Sequence, residues 1–149
     1  FYIDYKYRFE LINSLMNLNN LSFNTKDVYL DQKQLLEMSK DMIIGCHSHS
    51  HPVFSKLSYK EQQNDISKSF LELSRIINRF TIKSFCYPYG GDHVFNINTI
   101  KILEKENCKF AFNVDPRDIN HLDLKINKLR LPRYDCNEFK YGKVEPLKN

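Results

Sequence analysis

The sequence predicts an α/β fold built on a parallel sheet, and three observations lead to it. Short apolar runs of strand length stand at 42–46, 82–87 and 109–114. Segments with apolar residues at helical spacing separate them, as the crossover connections of parallel strands require. Two clusters of polar, chemistry-bearing residues, 47–51 and 87–93, directly follow two of the runs, which is where α/β folds place their sites. The 149 residues are 42% hydrophobic and 27% charged, with a net charge of only +4. That composition fits one globular domain able to bury a core, and it excludes a disordered chain.

Taken in order, residues 7–18 space Phe9, Ile12, Leu15 and Met16 at helical intervals, and 31–40 repeats the pattern with Leu35, Leu36 and Met38. Both read as surface helices. Met42, Ile43, Ile44, Gly45 and Cys46 then form a short apolar run ended by polar residues, as in a buried strand. The clearest helix begins at Ser58, whose hydroxyl can cap the first turn while Glu61 returns the bond. Its predicted core face is Ile66, Phe70, Leu73, Ile77 and Phe80, at spacings of four and three. Residues 82–87 read as a strand stopped by Pro88-Tyr89-Gly90-Gly91, 98–107 as a helix carrying Ile100 and Leu103, 109–114 as a strand, and 126–131 as another. There is no internal repeat and no linker.

No apolar run approaches the roughly 18 to 20 residues of a membrane span. The mild basic excess forms no Lys/Arg-dense stripe, so no nucleic-acid partner is expected. Cys46, Cys86, Cys108 and Cys136 form no C-x-x-C pair and are too sparse for a disulfide scaffold; they read as reduced thiols, which points to the cytoplasm. The chain opens with Phe1 and lacks the layout of a signal peptide. It is therefore expected to be a segment of a longer protein.

Three of the five histidines fall in Cys46-His47-Ser48-His49-Ser50-His51-Pro52. Imidazole is the commonest metal ligand, and a metal needs its nitrogens about 2.0 to 2.1 Å away. In an extended segment His47 and His51 would lie about 13 Å apart at ~3.3 Å per residue, leaving 47/49 or 49/51 as the pairs within reach. In a helical turn, positions four apart approach to ~6 Å and His47 pairs with His51. Pro52 disfavours the helical region for His51, so at most one turn fits. Cys46 beside His47 suggests a Cys/His nucleophile or a zinc finger, but neighbours on a strand point to opposite faces.

The run Ile44 to Pro52, followed by Lys56-Leu57-Ser58, resembles the H-[ST]-x-x-H-P signature of the polysaccharide deacetylases (the NodB-homology or carbohydrate esterase 4 family). Phe85-Cys86-Tyr87-Pro88-Tyr89-Gly90 is similar to that family's F-x-Y-P-Y-G motif, and Leu131-Pro132-Arg133 to its late L-P-R segment. The resemblance covers roughly residues 28–135. It implies an incomplete, distorted (β/α) barrel and a divalent metal, usually Zn2+ but sometimes Co2+, Ni2+ or Fe2+, held by two His and one Asp. It also implies hydrolysis of an acetyl group on an acetylated carbohydrate. Carried over by position, His47 and His51 are the metal ligands, Ser48 supports them and His49 is not a ligand. The backbone N–H of Tyr89 becomes an oxyanion donor, and the Tyr87 and Tyr89 rings are candidates to stack on sugar.

The pattern also breaks. The family's Asp-Asp pair, which supplies the base and the third metal ligand, has no counterpart in this sequence. Either the motif lies upstream of Phe1, or the chain is a degenerate homologue with Asp4 as the remaining acid. Cys86 stands where the second motif carries Arg, and Arg133 is the candidate to orient the catalytic acid instead. No Leu-x-His motif follows Arg133, and His93 and His121 remain unassigned. Two rival readings stay open: a catalytically inactive carbohydrate-binding homologue, and another metal hydrolase that pairs His47 with His49.

Overall fold

The computed structural model describes residues 7–22, 28–77 and 82–135. Its longest helix, α3 (Tyr59–Ile76), starts where the sequence places the cap. The Ser58 hydroxyl accepts the Glu61 N–H, and the Glu61 carboxylate accepts the Ser58 N–H at 2.8 Å. The face of α3 that turns inward carries Ile66, Phe70 and Leu73 together with the polar Gln62, Asp65 and Ser69. Ile77 is buried just past the helix end, whereas the expectation for Phe80 lies outside the described residues. Helix α4 (Ile97–Lys105) is capped by Asn96, whose side chain accepts the N–H groups of Asn98 and Thr99. It is joined to α3 by a buried hydrogen bond, Thr99 Oγ1 donating to Gln62 Oε1 at 2.7 Å.

Three strands, β1 (Ser84–Cys86), β2 (Phe110–Val114) and β3 (Leu131–Arg133), pair in parallel in that order. Phe85 lies opposite Ala111, and Phe112 opposite Leu131. The fold is thus mixed α/β on a small parallel sheet, as the alternation of strands and helices predicts. On the helix side, Phe85 stands at the centre of an aromatic cluster, with the rings of Tyr87, Phe54 and Phe70 at 5.6, 6.0 and 6.1 Å. Ile66, Ile102, Leu103 and Ala111 complete this core.

Helices α1 (Arg8–Leu18) and α2 (Gln32–Met38) lie where 7–18 and 31–40 are predicted and contain no buried residue. Two expectations need correction. The strand expected over 42–46 is reduced to one parallel bridge, Cys46 to Phe85, and Met42 and Ile43 are exposed. Only the end of that run reaches β1, where the Cys46 N–H donates to Ser84 O and the Cys86 N–H to Cys46 O. The strand expected over 126–131 begins instead at Leu131, because Asn120 nucleates a short helix, α5 (His121–Ile126), by accepting the Leu122 and Asp123 N–H groups. Pro132 is tolerated because β3 is at the end of the strand order.

Candidate metal centre

The histidine loop is launched from the sheet by the two Cys46 backbone bonds to β1. It is not a helical turn. Ser48 and His51 both adopt left-handed backbone angles, with φ of +69° and +54°, and the His51 N–H donates to the Ser48 hydroxyl at 2.8 Å. In a helical turn that N–H would go to the carbonyl of His47. The Ser48 side chain takes its place, and Pro52 disfavours the helical region for His51.

The loop nevertheless brings His47 and His51 together, with their Nε2 atoms 3.2 Å apart and the rings edge to face. The other nitrogen of His47, Nδ1, lies 2.7 Å from the carbonyl oxygen of Cys86. A carbonyl can only accept, so the proton belongs on Nδ1 and the Nε2 lone pair faces His51. Burial, followed by the neighbouring His47, holds the His51 pKa below its usual value and favours the neutral imidazole. Two nitrogens on a tetrahedral ion with arms of about 2.0 to 2.1 Å are separated by roughly 3.3 Å. The pair therefore fits one edge of such a site. Among the described residues no group of three His, Cys, Asp or Glu is placed to hold an ion, so the pair offers two ligands and no third.

His49 is directed elsewhere. Its Nδ1 is 3.1 Å from Glu72 Oε2 on α3, and its backbone N–H donates to Asp65 Oδ1 at 2.9 Å. Asp65 also accepts the Ser50 N–H at 3.0 Å and the Ser50 hydroxyl at 2.6 Å. This contact escaped sequence reasoning because Asp65 looks like one polar residue among several on an amphipathic helix. Its position directly before the core residue Ile66 is the only hint.

Past β1, Tyr89 and Gly90 take consecutive left-handed angles, φ +63° and +75°. The Gly90 carbonyl accepts the Val114 N–H at 2.7 Å, which presses the turn against the end of β2. A Cβ at Gly90 would stand 2.1 Å from Val114 Cγ2, so glycine is required by space as well as by backbone angle. The Tyr89 ring meets His51 edge to face at 4.7 Å, and its hydroxyl accepts from Arg8 Nη1 at 3.2 Å. Tyr87 does not face a ligand. It is fully buried, stacks on Phe95 at 3.8 Å, and donates its hydroxyl to Leu129 O at 2.7 Å. Its expected role in stacking on sugar is therefore corrected.

Arg133 ends β3 with its Nε buried and without a hydrogen-bond partner among the described residues. Its charge reaches the Cys86 thiol, whose pKa is raised by burial and partly lowered again by Arg133. His93 belongs to a short 3-10 turn (Asp92–Val94) and His121 opens α5. Cys46 is buried, and its thiol is pushed up to about 11 by that burial, the opposite of what an activated nucleophile needs. A cavity of about 680 Å3 lined by Ile82, Lys109, Phe110 and Leu129 opens near the starts of the strands, whereas the histidines follow strand ends.

A family model described as polysaccharide deacetylase matches residues 16–111. Among solved structures, the chain is similar to a Streptococcus pyogenes deacetylase, PplD, in complex with acetate, at 25% identity and a TM-score of 0.62. The match covers 70% of this chain and 44% of that one, so this chain spans less than half the length of that protein. No curated protein matches.

Proposed function

Since the chain belongs to the polysaccharide deacetylase family, we propose that it serves as a metal-dependent hydrolase removing N-acetyl groups from a sugar or polysaccharide. The observation that carries this reading is the convergence of His47 and His51 Nε2 at 3.2 Å. One of these rings, His47, donates its Nδ1 proton to Cys86 O, which leaves Nε2 free to ligate. The relative solved with acetate, the acid that deacetylation releases, agrees with the reaction class.

In this reading His47 and His51 hold a divalent cation, most simply Zn2+. When bound, the cation supplies Lewis-acid polarisation of the acetyl oxygen and a water of lowered pKa. The residues of the chain do the rest. The Tyr89 backbone N–H, carried on the left-handed Tyr89-Gly90 turn, is the proposed donor to the oxyanion that develops on the acetyl carbonyl oxygen. The Tyr89 ring offers a face to the sugar, and Arg133, whose Nε is buried without a hydrogen-bond partner among the described residues, is the proposed orienting partner of an acidic residue. That residue would serve as base, and the third ligand would likewise come from outside the described residues. The parallel sheet then forms part of the incomplete, distorted (β/α) barrel of the family, and the thiols of Cys46, Cys86 and Cys108 suit a reducing compartment.

The test is acetate release from acetylated oligosaccharides by the full-length gene product, with and without Zn2+. Zinc-dependent release supports the reading. Sugar binding without release would favour an inactive carbohydrate-binding homologue instead.

A further inference from the structure

The loop that carries His47 and His51 makes no strand or helix ladder of its own, so its shape must be fixed from outside. Helix α3 does this at the loop's centre. Asp65 is 9% exposed, and a carboxylate so buried is costly unless several donors satisfy it. The three donors shown for it come from the loop: the His49 N–H to Oδ1, and the Ser50 N–H and hydroxyl to Oδ2. The two adjacent backbone N–H groups go to different oxygens of Asp65, so asparagine would set its NH2 group, a donor, against one of them. Two turns further along α3, Glu72 holds the His49 ring. The span between the two converging histidines is thus gripped at His49 and Ser50. The flanking residues are bent by left-handed angles at Ser48 and His51, a conformation that costs energy and persists only when its surroundings impose it.

We propose that Asp65 is a positioning residue for the metal site, holding the backbone of His49 and Ser50 so that His47 and His51 meet at ligand spacing. The inference rests on the metal reading above. It requires that loss of the clamp weaken metal binding out of proportion to any loss of fold stability, because misplaced ligands lose affinity even in a folded protein. Changes to groups that orient metal ligands typically cost about 10- to 100-fold in affinity.

The experiment measures the zinc dissociation constant of the full-length gene product by competition with a chromophoric chelator, alongside the melting temperature of the metal-free form. Asp65→Asn is expected to raise the dissociation constant about 10- to 100-fold. Ile102→Ala, a cavity in the core away from the loop, is expected to lower the melting temperature while leaving the constant within about threefold. An unchanged constant in Asp65→Asn overturns the proposal, and so does an equal rise in Ile102→Ala, which would make the effect one of stability alone. Should Asp65→Asn fail to fold, Ser50→Ala removes one of the three bonds. A severalfold rise there supports the clamp, and no rise contradicts it. Failure of the unmodified protein to bind zinc would instead remove the metal reading itself, and the clamp with it.

Discussion

The Nδ1 of His47 lies 2.7 Å from the carbonyl oxygen of Cys86, so it is the neighbouring strand β1, not the histidine loop, that decides which ring nitrogen faces His51. This makes the tautomer of His47 a property of the sheet. Long-range proton–nitrogen NMR of the metal-free protein at pH 8 should find the His47 proton on Nδ1, with Nε2 resonating as an unprotonated nitrogen. A proton on Nε2 instead would mean the other tautomer, in which that atom has no lone pair to offer a metal.

The turn after β1 gives a second prediction. Gly90 combines φ of +75° with a Cβ position 2.1 Å from Val114 Cγ2. Gly90→Ala should therefore lower stability by about 1–3 kcal/mol, the scale of backbone strain at one residue. Shrinking the neighbour in Gly90→Ala/Val114→Ala should not restore it fully, because the backbone angle stays unfavourable. A melting temperature equal to that of the parent protein would contradict this account of the turn.

The buried bond between Thr99 and Gln62 ties α4 to α3. Thr99→Val leaves the Gln62 carbonyl oxygen buried without that donor and should cost about 1–3 kcal/mol in urea unfolding. Replacing both partners, as Thr99→Val/Gln62→Leu, should cost less than the single change, since no polar atom is then stranded. Simple additivity of the two single substitutions would show that the pair is not coupled.

Burial pushes the Cys108 thiol up to about 12 from an ordinary value of 9.0. Between those values the unfolded chain has lost a proton that the folded chain keeps, so stability must fall as pH rises. The contribution is fully present below pH 9 and disappears between pH 9 and about 12. Denaturant titrations across that range should show the decline, and Cys108→Ala should flatten it. An equally steep decline in the variant would assign the alkaline loss to other groups.

Much of the framework was legible because it depends on local chemistry. The Ser58 and Glu61 capping box starts α3 where the sequence places it, and Ile66, Phe70 and Leu73 turn inward as their spacing requires. The strands at Ser84–Cys86 and Phe110–Val114 fall inside the predicted runs. The errors arise where tertiary pairing decides. Met42 and Ile43 have the composition of a strand, yet only Cys46 finds a partner on β1. Leu131–Arg133 contains a proline that argues against a strand, and it pairs because it lies at the end of the strand order. Around the histidines, spacing alone left three pairs open and the resemblance to the H-[ST]-x-x-H-P signature singled out His47 and His51, but the way they meet was hidden. It depends on the Ser48 hydroxyl capturing the His51 N–H and on Asp65, many residues away, capturing those of His49 and Ser50. Tyr87 packs on Phe95 instead of facing outward, and a tyrosine just before a Pro-Tyr-Gly turn looks the same in sequence in either position.

The most direct measurement is the zinc content of the purified full-length gene product and three of its variants, by elemental analysis after removal of free metal. The account predicts one ion per chain in the unmodified protein and in His49→Ala, and loss of that ion in His47→Ala and His51→Ala. An ion retained without His47 or His51, or lost only when His49 is replaced, would contradict it.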